Sequence, residues 1–152
     1  MKWEVRPGLI VSYTEKTAIG TSFVMAASSL GAAEVEGSVA VFVAHPLVMK
    51  FDDLLASHDG SGNPAEQGSA LARLGLGAPI EPDDRFVSRL QAGAFAEHGA
   101  VREGALWGMA YAEWSVFREP LRQASLTDSD DFLKKVASTA LQAFDRIGVP
   151  ES

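Results

Sequence analysis

Three histidines, with a few carboxylates and aromatic side chains, are the residues of this chain whose types and neighbours suggest chemistry. His45 precedes Pro46 at what reads as the end of a strand, and Lys50, Asp52 and Asp53 follow closely. Chain leaving a strand often builds pockets, so a general base with a charged partner could form there. His58 is followed by Asp59 in a glycine-rich stretch. A histidine oriented by a carboxylate is an acid/base or metal-ligand pair if its loop folds over a cleft. Glu113 interrupts an aromatic run between Tyr111 and Trp114, where burial would raise its pKa toward the range useful for proton transfer. His45, His58 and Glu113 are therefore the catalytic candidates. Lys50, Asp52, Asp59, Trp107 and Tyr111 are the candidate ligand contacts.

Each candidate also has a structural explanation. His45 could simply end a strand, His58 could sit on a surface loop, and Glu113 could be a partnered glutamate at a sheet edge or interface. Trp107, Tyr111 and Trp114 suit a core or an interface as well as a stacking platform. His45, His58 and His98 show no metal-ligand spacing such as HExxH, so no metal site is expected. Gly20-Thr21-Ser22 lacks the length and lysine of a phosphate-binding loop and reads as a helix cap. No GxSxG elbow, SxxK motif or dinucleotide fingerprint is present, and the sequence names no cofactor.

The elements that would position these residues follow from periodicity and turn chemistry. Lys2 to Arg6 and Leu9 to Thr14 are short branched and aromatic runs separated by Pro7-Gly8, which predicts two strands or one strand broken by a turn. Thr21 or Ser22 could cap a helix through Leu30, although a strand also fits. Ser38 to Ala44, apolar on both faces with alternate β-branched residues, predicts an inner strand. Leu47 to Ala56 has no clear periodicity. Ser57 to Gly68 concentrates turn formers and predicts an exposed loop. A short helical piece is expected over Ser69 to Leu74, and a helix from about Asp83 to Glu97 with its stripe at Phe86, Val87, Leu90, Ala94 and Phe95. Ala105 to Phe117 reads as a second inner strand. Hydroxyl and carboxylate residues from Thr127 to Asp131 open a final helix, on which Phe132, Leu133, Val136, Ala137, Ala140, Leu141 and Phe144 fall on one stripe and which stops at Gly148 and Pro150. The sum is an α+β two-layer sandwich, with about three helices on one face of a four-stranded mixed sheet, in a single domain spanning residues 1–152.

The chain's 152 residues are 47% hydrophobic and 22% charged, as in ordinary soluble domains, which argues against disorder and fibrous architectures. The absence of cysteine excludes disulfides, thiolate metal sites and a cysteine nucleophile. With charge interrupting the first residues and no run of membrane-spanning length, a cytoplasmic protein with no membrane partner is expected. The net charge of −7, with basic residues interleaved among acidic ones, makes nucleic acid an unsuitable partner. A homo-oligomer of compact subunits is as compatible with the composition as a monomer.

The order of these elements resembles that of the formaldehyde-activating enzyme family, small pterin-binding lyases that assemble as rings. The local likeness runs through Ser38 to Leu55, where the family has an apolar strand, a proline corner, then a lysine, a small polar pair and leucines. A helix ending in Glu97-His98-Gly99-Ala100-Val101, an aromatic strand and a final amphipathic helix follow in similar order. The resemblance implies a related fold. The family's catalytic histidine, however, falls near Pro7, its pterin-contacting aspartate near Leu9, and a later pterin-contacting lysine close to His58, so the resemblance implies a relative without that activity.

Two function classes follow. One is a small-molecule-binding protein or small enzyme with its site near the His45 corner and the 57–68 loop. The other is a protein-interaction module, an assembly partner or inhibitor, with no catalysis. Whether there is a reaction at all is left open.

Overall fold

A computed structural model describes residues 1–17 and 20–151. The chain divides into two compact units, Met1–Lys50 and Phe51–Ser152. Together they contain a three-stranded antiparallel sheet and seven α-helices among the described residues. This corrects the expected four-stranded mixed sheet covered by three helices, while remaining α+β in broad terms.

The first unit is a meander followed by a helix. β1 (Lys2–Arg6), β2 (Leu9–Lys16) and β3 (Thr21–Ser28) lie in the order β1-β2-β3, both pairings antiparallel. Pro7-Gly8 makes the first turn, with Gly8 at φ +83°, a conformation glycine adopts without strain. Leu9 and Val11 on the central strand are buried. The Thr21–Ser28 segment, which could have been a helix, is a strand because it completes β2's second edge over eight consecutive pairs, Leu9↔Ser28 to Lys16↔Thr21.

α1 (Ala32–Val43) then packs against β3, and Arg6 of β1 forms an ion pair with its Glu34. The expected inner strand Ser38–Ala44 therefore lies in this helix and its cap. Glu34, Val35, Ser38 and Phe42 are its partly covered residues, at helical spacing, whereas Val39, Val41 and Val43 are exposed. Alanines through the segment and glutamates near its start favour the helix, and with the 35/38/42 stripe they outweigh the β-propensity of three valines.

The second unit is all helical: α2 (Phe51–Asp59), α3 (Pro64–Leu76), α4 (Asp84–Ala94), α5 (Gly99–Ala112), a 3-10 turn over Ser115–Phe117, α6 (Arg118–Thr127) and α7 (Asp131–Ile147). The expected loop at 57–68 shrinks to residues 60–63. Pro64 occupies the first turn of α3, the Asn63 side chain accepts from the Glu66 amide at 3.0 Å, and Glu66 accepts from the Gly62 amide at 3.1 Å. These turn formers are a helix start.

α5 replaces the second expected inner strand. Val101, Gly104, Ala105, Gly108 and Met109 are buried at intervals of three and four, a helical stripe that the alternating aromatics Trp107, Met109 and Tyr111 conceal. Its glycines let it lie against α3 almost backbone to backbone. A Cβ built on Gly104 would overlap the Gly68 backbone, and one built on Gly75 would overlap that of Gly108. Around this crossing pack Leu71, Leu74, Phe86, Leu90, Leu106, Phe117, Leu121 and Phe144, all fully buried. Trp114, also buried, donates its indole N–H to the carbonyls of Pro79 and Ile80 at 3.2 and 3.1 Å and so holds the α3–α4 connection. At the other end Arg118 donates to Asp145 and to the carbonyls of Val149 and Pro150, anchoring the chain beyond α7.

No helix among the described residues is long and apolar enough to cross a membrane.

Candidate functional site

The second unit carries an open cleft of about 390 Å³ where the end of α2, the first half of α3, α4 and the start of α5 meet. Its polar lining is His58, Asp59, Gln67, Ser88 and Arg89, and Val101 and Gly93 contribute apolar surface. The volume lies in the range of small-molecule pockets.

Two Asp–Arg pairs and one aromatic contact tie α2 to α4 and so place this lining. Arg85 bridges Asp52 at 3.1 Å and Asp83 at 2.8 Å, and Arg89 grips Asp59. Phe51 meets Phe86 edge to face with centroids 5.9 Å apart. Leu54 and Leu55, on the buried side of α2, anchor the helix in the core.

Asp59 is the hub. Arg89 donates from Nε to Oδ1 at 2.8 Å and from Nη2 to Oδ2 at 2.6 Å, a two-pronged grip, while His58 Nδ1 lies 3.0 Å from Oδ1. These bonds, Arg89 first and His58 second, hold the Asp59 carboxyl well below the usual carboxylate range. Asp59 is therefore ionised at neutral pH and can only accept hydrogen bonds. It follows that His58 donates through Nδ1, leaving Nε2 of the neutral ring as an acceptor. The ring is held still as well as oriented, since the His58 side chain is only 13% exposed. Arg89, whose own pKa is raised by Asp59, is anchored further by Nη1 donating to the Arg85 carbonyl at 2.8 Å. The cleft thus offers a fixed imidazole acceptor, guanidinium donors, the Ser88 hydroxyl and the Gln67 amide. That set suits a small molecule with both an acidic or hydroxyl proton and an anionic oxygen.

Of the candidates named from the sequence, His58 and Asp59 line this cleft, and Asp52 supports it through Arg85. His45 and Lys50 belong to the other unit. His45 is exposed after α1, where its Nδ1 accepts from the Leu47 amide at 3.3 Å, and Lys50 is exposed at that unit's end. Trp107 and Tyr111, one turn apart on α5, stack on each other with centroids 6.0 Å apart and lie outside the cleft lining. Glu113 is not the buried strand carboxylate expected: it ends α5 exposed, at φ 55°. Because Tyr111 belongs to a helix and not a strand, Glu113 becomes the residue that caps its C-terminus. Among the described residues no group of three or more His, Asp or Glu side chains is placed to hold a metal ion.

Arg89, Ser88 and Gln67 escaped the sequence reading, which took from α4 only its apolar stripe. For α4 the available signal is Arg85, Ser88 and Arg89, spaced at three and four residues beside the apolar stripe; Gln67 carries none.

No protein-family model, no curated protein and no solved structure matches the chain.

Proposed function

We propose that the helical unit binds a small polar molecule in the cleft beside α2 and α4, with His58 as the group that exchanges a hydrogen bond or a proton with it. The observation that carries this reading is the arrangement of Asp59, which holds both Arg89 and His58 Nδ1 on the wall of a cleft of ligand size. Exposed ion pairs add little to stability, so a chain that spends His, Asp and Arg on one interlocked cluster gains mainly a fixed geometry. Arg89 would take an anionic oxygen and His58 Nε2 a hydroxyl or amide proton. Small carboxylates and phosphates are the first compounds to try. Folates and pterins join them only as a check on the sequence resemblance, whose two strands are the helices α1 and α5 in the structure.

His58→Ala should cost about 1–2 kcal/mol of stability, one hydrogen bond plus part of the packing of a mostly covered ring, while abolishing ligand-dependent thermal stabilisation. Calorimetric titration of the wild type and the variant with each stabilising compound checks this. Equal affinity in both would remove His58 from the site.

A second reading, a protein-interaction module, is favoured by the first unit, where Trp3, Val5, Ile10, Val24, Met25, Val39, Val41 and Val43 are all exposed.

A further inference from the structure

We propose that β1 is a homotypic docking edge: two copies of the chain pair antiparallel along their first strands, in one register, and join their sheets. β1 is an edge strand of the order β1-β2-β3, and all five of its residues are exposed. The other edge strand, β3, has α1 packed against it.

The ladder fixes which main-chain groups face outward. Met1 donates its amino group to the Tyr13 carbonyl at 2.8 Å, and the Tyr13 amide donates to the Met1 carbonyl at 2.8 Å. That reciprocal pair sets the alternation of the antiparallel ladder. Trp3, opposite Val11, turns its peptide groups toward β2. Lys2 and Glu4, opposite Ser12 and Ile10, turn theirs out across the open edge.

An antiparallel copy must bring outward-facing residues opposite outward-facing residues, so a two-fold axis passes through a residue and not between two. An axis at Lys2 sets Lys2 against itself. An axis at Glu4 sets Glu4 against itself and Lys2 against Arg6. An axis at Val5 falls on the register shift between Glu4 and Arg6 and draws Arg6 away from Glu34. An axis at Trp3 pairs Lys2 with Glu4 of the second copy and Glu4 with its Lys2, each a hydrogen-bonded pair with opposite charges facing. Trp3, 47% exposed, then faces its own copy on the other side of the sheet, at a non-hydrogen-bonded position where cross-strand side chains approach most closely. Edge charges usually oppose strand pairing; here the alternation of lysine and glutamate makes the edge complementary to itself. Every contact in such an isologous interface occurs twice.

The test is the mass of the full chain in solution by sedimentation equilibrium. The wild type should associate reversibly toward twice its 16.2 kDa. Lys2→Glu and Glu4→Lys should each weaken association at least about tenfold, since either change sets like charges opposite at both ends of the paired strands. An equimolar mixture of the two single variants should associate again, because one chain then carries only negative and the other only positive charge at these positions. Recovery on mixing also shows that both variants fold. A wild type that stays monomeric at millimolar concentration overturns the proposal. So do single variants that associate as tightly as the wild type, or a mixture that stays as monomeric as its components.

Discussion

Gly75→Ala is expected to lower the unfolding free energy of the helical unit by about 3 kcal/mol. The residue sits where α3 crosses α5, and a Cβ built there would overlap the Gly108 backbone itself, not the end of a flexible side chain. A backbone cannot step aside by changing rotamer, so the two helices must separate along the crossing. The fully buried Leu71, Leu74, Leu106 and Met109 on these helices would then lose close packing. Gly99→Ala, at the start of α5, is the matched control. Its Cβ would find only Arg102 Nη2, at 3.9 Å, and its effect should stay within about 0.5 kcal/mol. Urea unfolding followed by helical circular dichroism compares the two variants. A Gly75→Ala loss below about 1 kcal/mol would mean that the helices do not approach this closely.

Arg102→Met should cost a similar amount, about 3 kcal/mol at neutral pH, for an electrostatic reason. Arg102 donates to Asp128 through Nε at 2.9 Å and through Nη2 at 3.2 Å, and its Nη1 donates to the carbonyls of Ala96 and Glu97. The Asp128 side chain is only 3% exposed. Burial alone would raise its pKa, but the hydrogen bonds from Arg102 and the Asp130 amide, together with the nearby positive charge, outweigh burial and hold the carboxyl below its ordinary value. Removing the guanidinium leaves a buried carboxylate without its cation, which is what makes one-sided removal of a buried pair expensive. The cost should depend on pH. In the wild type a folded pKa below the unfolded value of about 3.9 contributes stability that is present above that value and lost as pH falls through the folded one. In the variant only the Asp130 amide and the Lys134 charge still oppose desolvation, so Asp128 takes up a proton at higher pH than in the wild type and escapes part of the penalty. The gap between variant and wild type should therefore be full at pH 7 and narrow near pH 3, as denaturant titrations at the two pH values would show. An equal gap at both would assign the effect to lost packing.

Where local pattern and tertiary packing agree, the elements were legible. β1 and β2 follow from two branched runs around Pro7-Gly8, α4 from the Phe86, Leu90 and Ala94 stripe, and α7 from its acidic start, whose Asp130 caps the helix by accepting from the Phe132 amide at 2.8 Å. The misreadings come from segments in which two periods coexist. Val39, Val41 and Val43 alternate as in a strand, yet the partly covered residues of α1 repeat as in a helix. In α5 the bulky residues alternate while the glycines that set the packing recur every four. Glycine carries no hydrophobic signal, so a pattern read from large side chains misses a helix whose contact face is small. The candidate site was legible only as far as one helix reaches. His58-Asp59 is a local pair, whereas its partner Arg89 lies 30 residues away and meets it only through the packing of α2 on α4.

The central claim is that the cleft at His58, Asp59 and Arg89 binds a small molecule. Its most direct test is a thermal-shift screen of the wild type, His58→Ala and Arg89→Ala against small carboxylates, phosphates, folates and pterins. Compounds that raise the wild-type melting temperature and leave both variants unmoved are the predicted result. A panel that stabilises none of the three proteins, or all three equally, would contradict it.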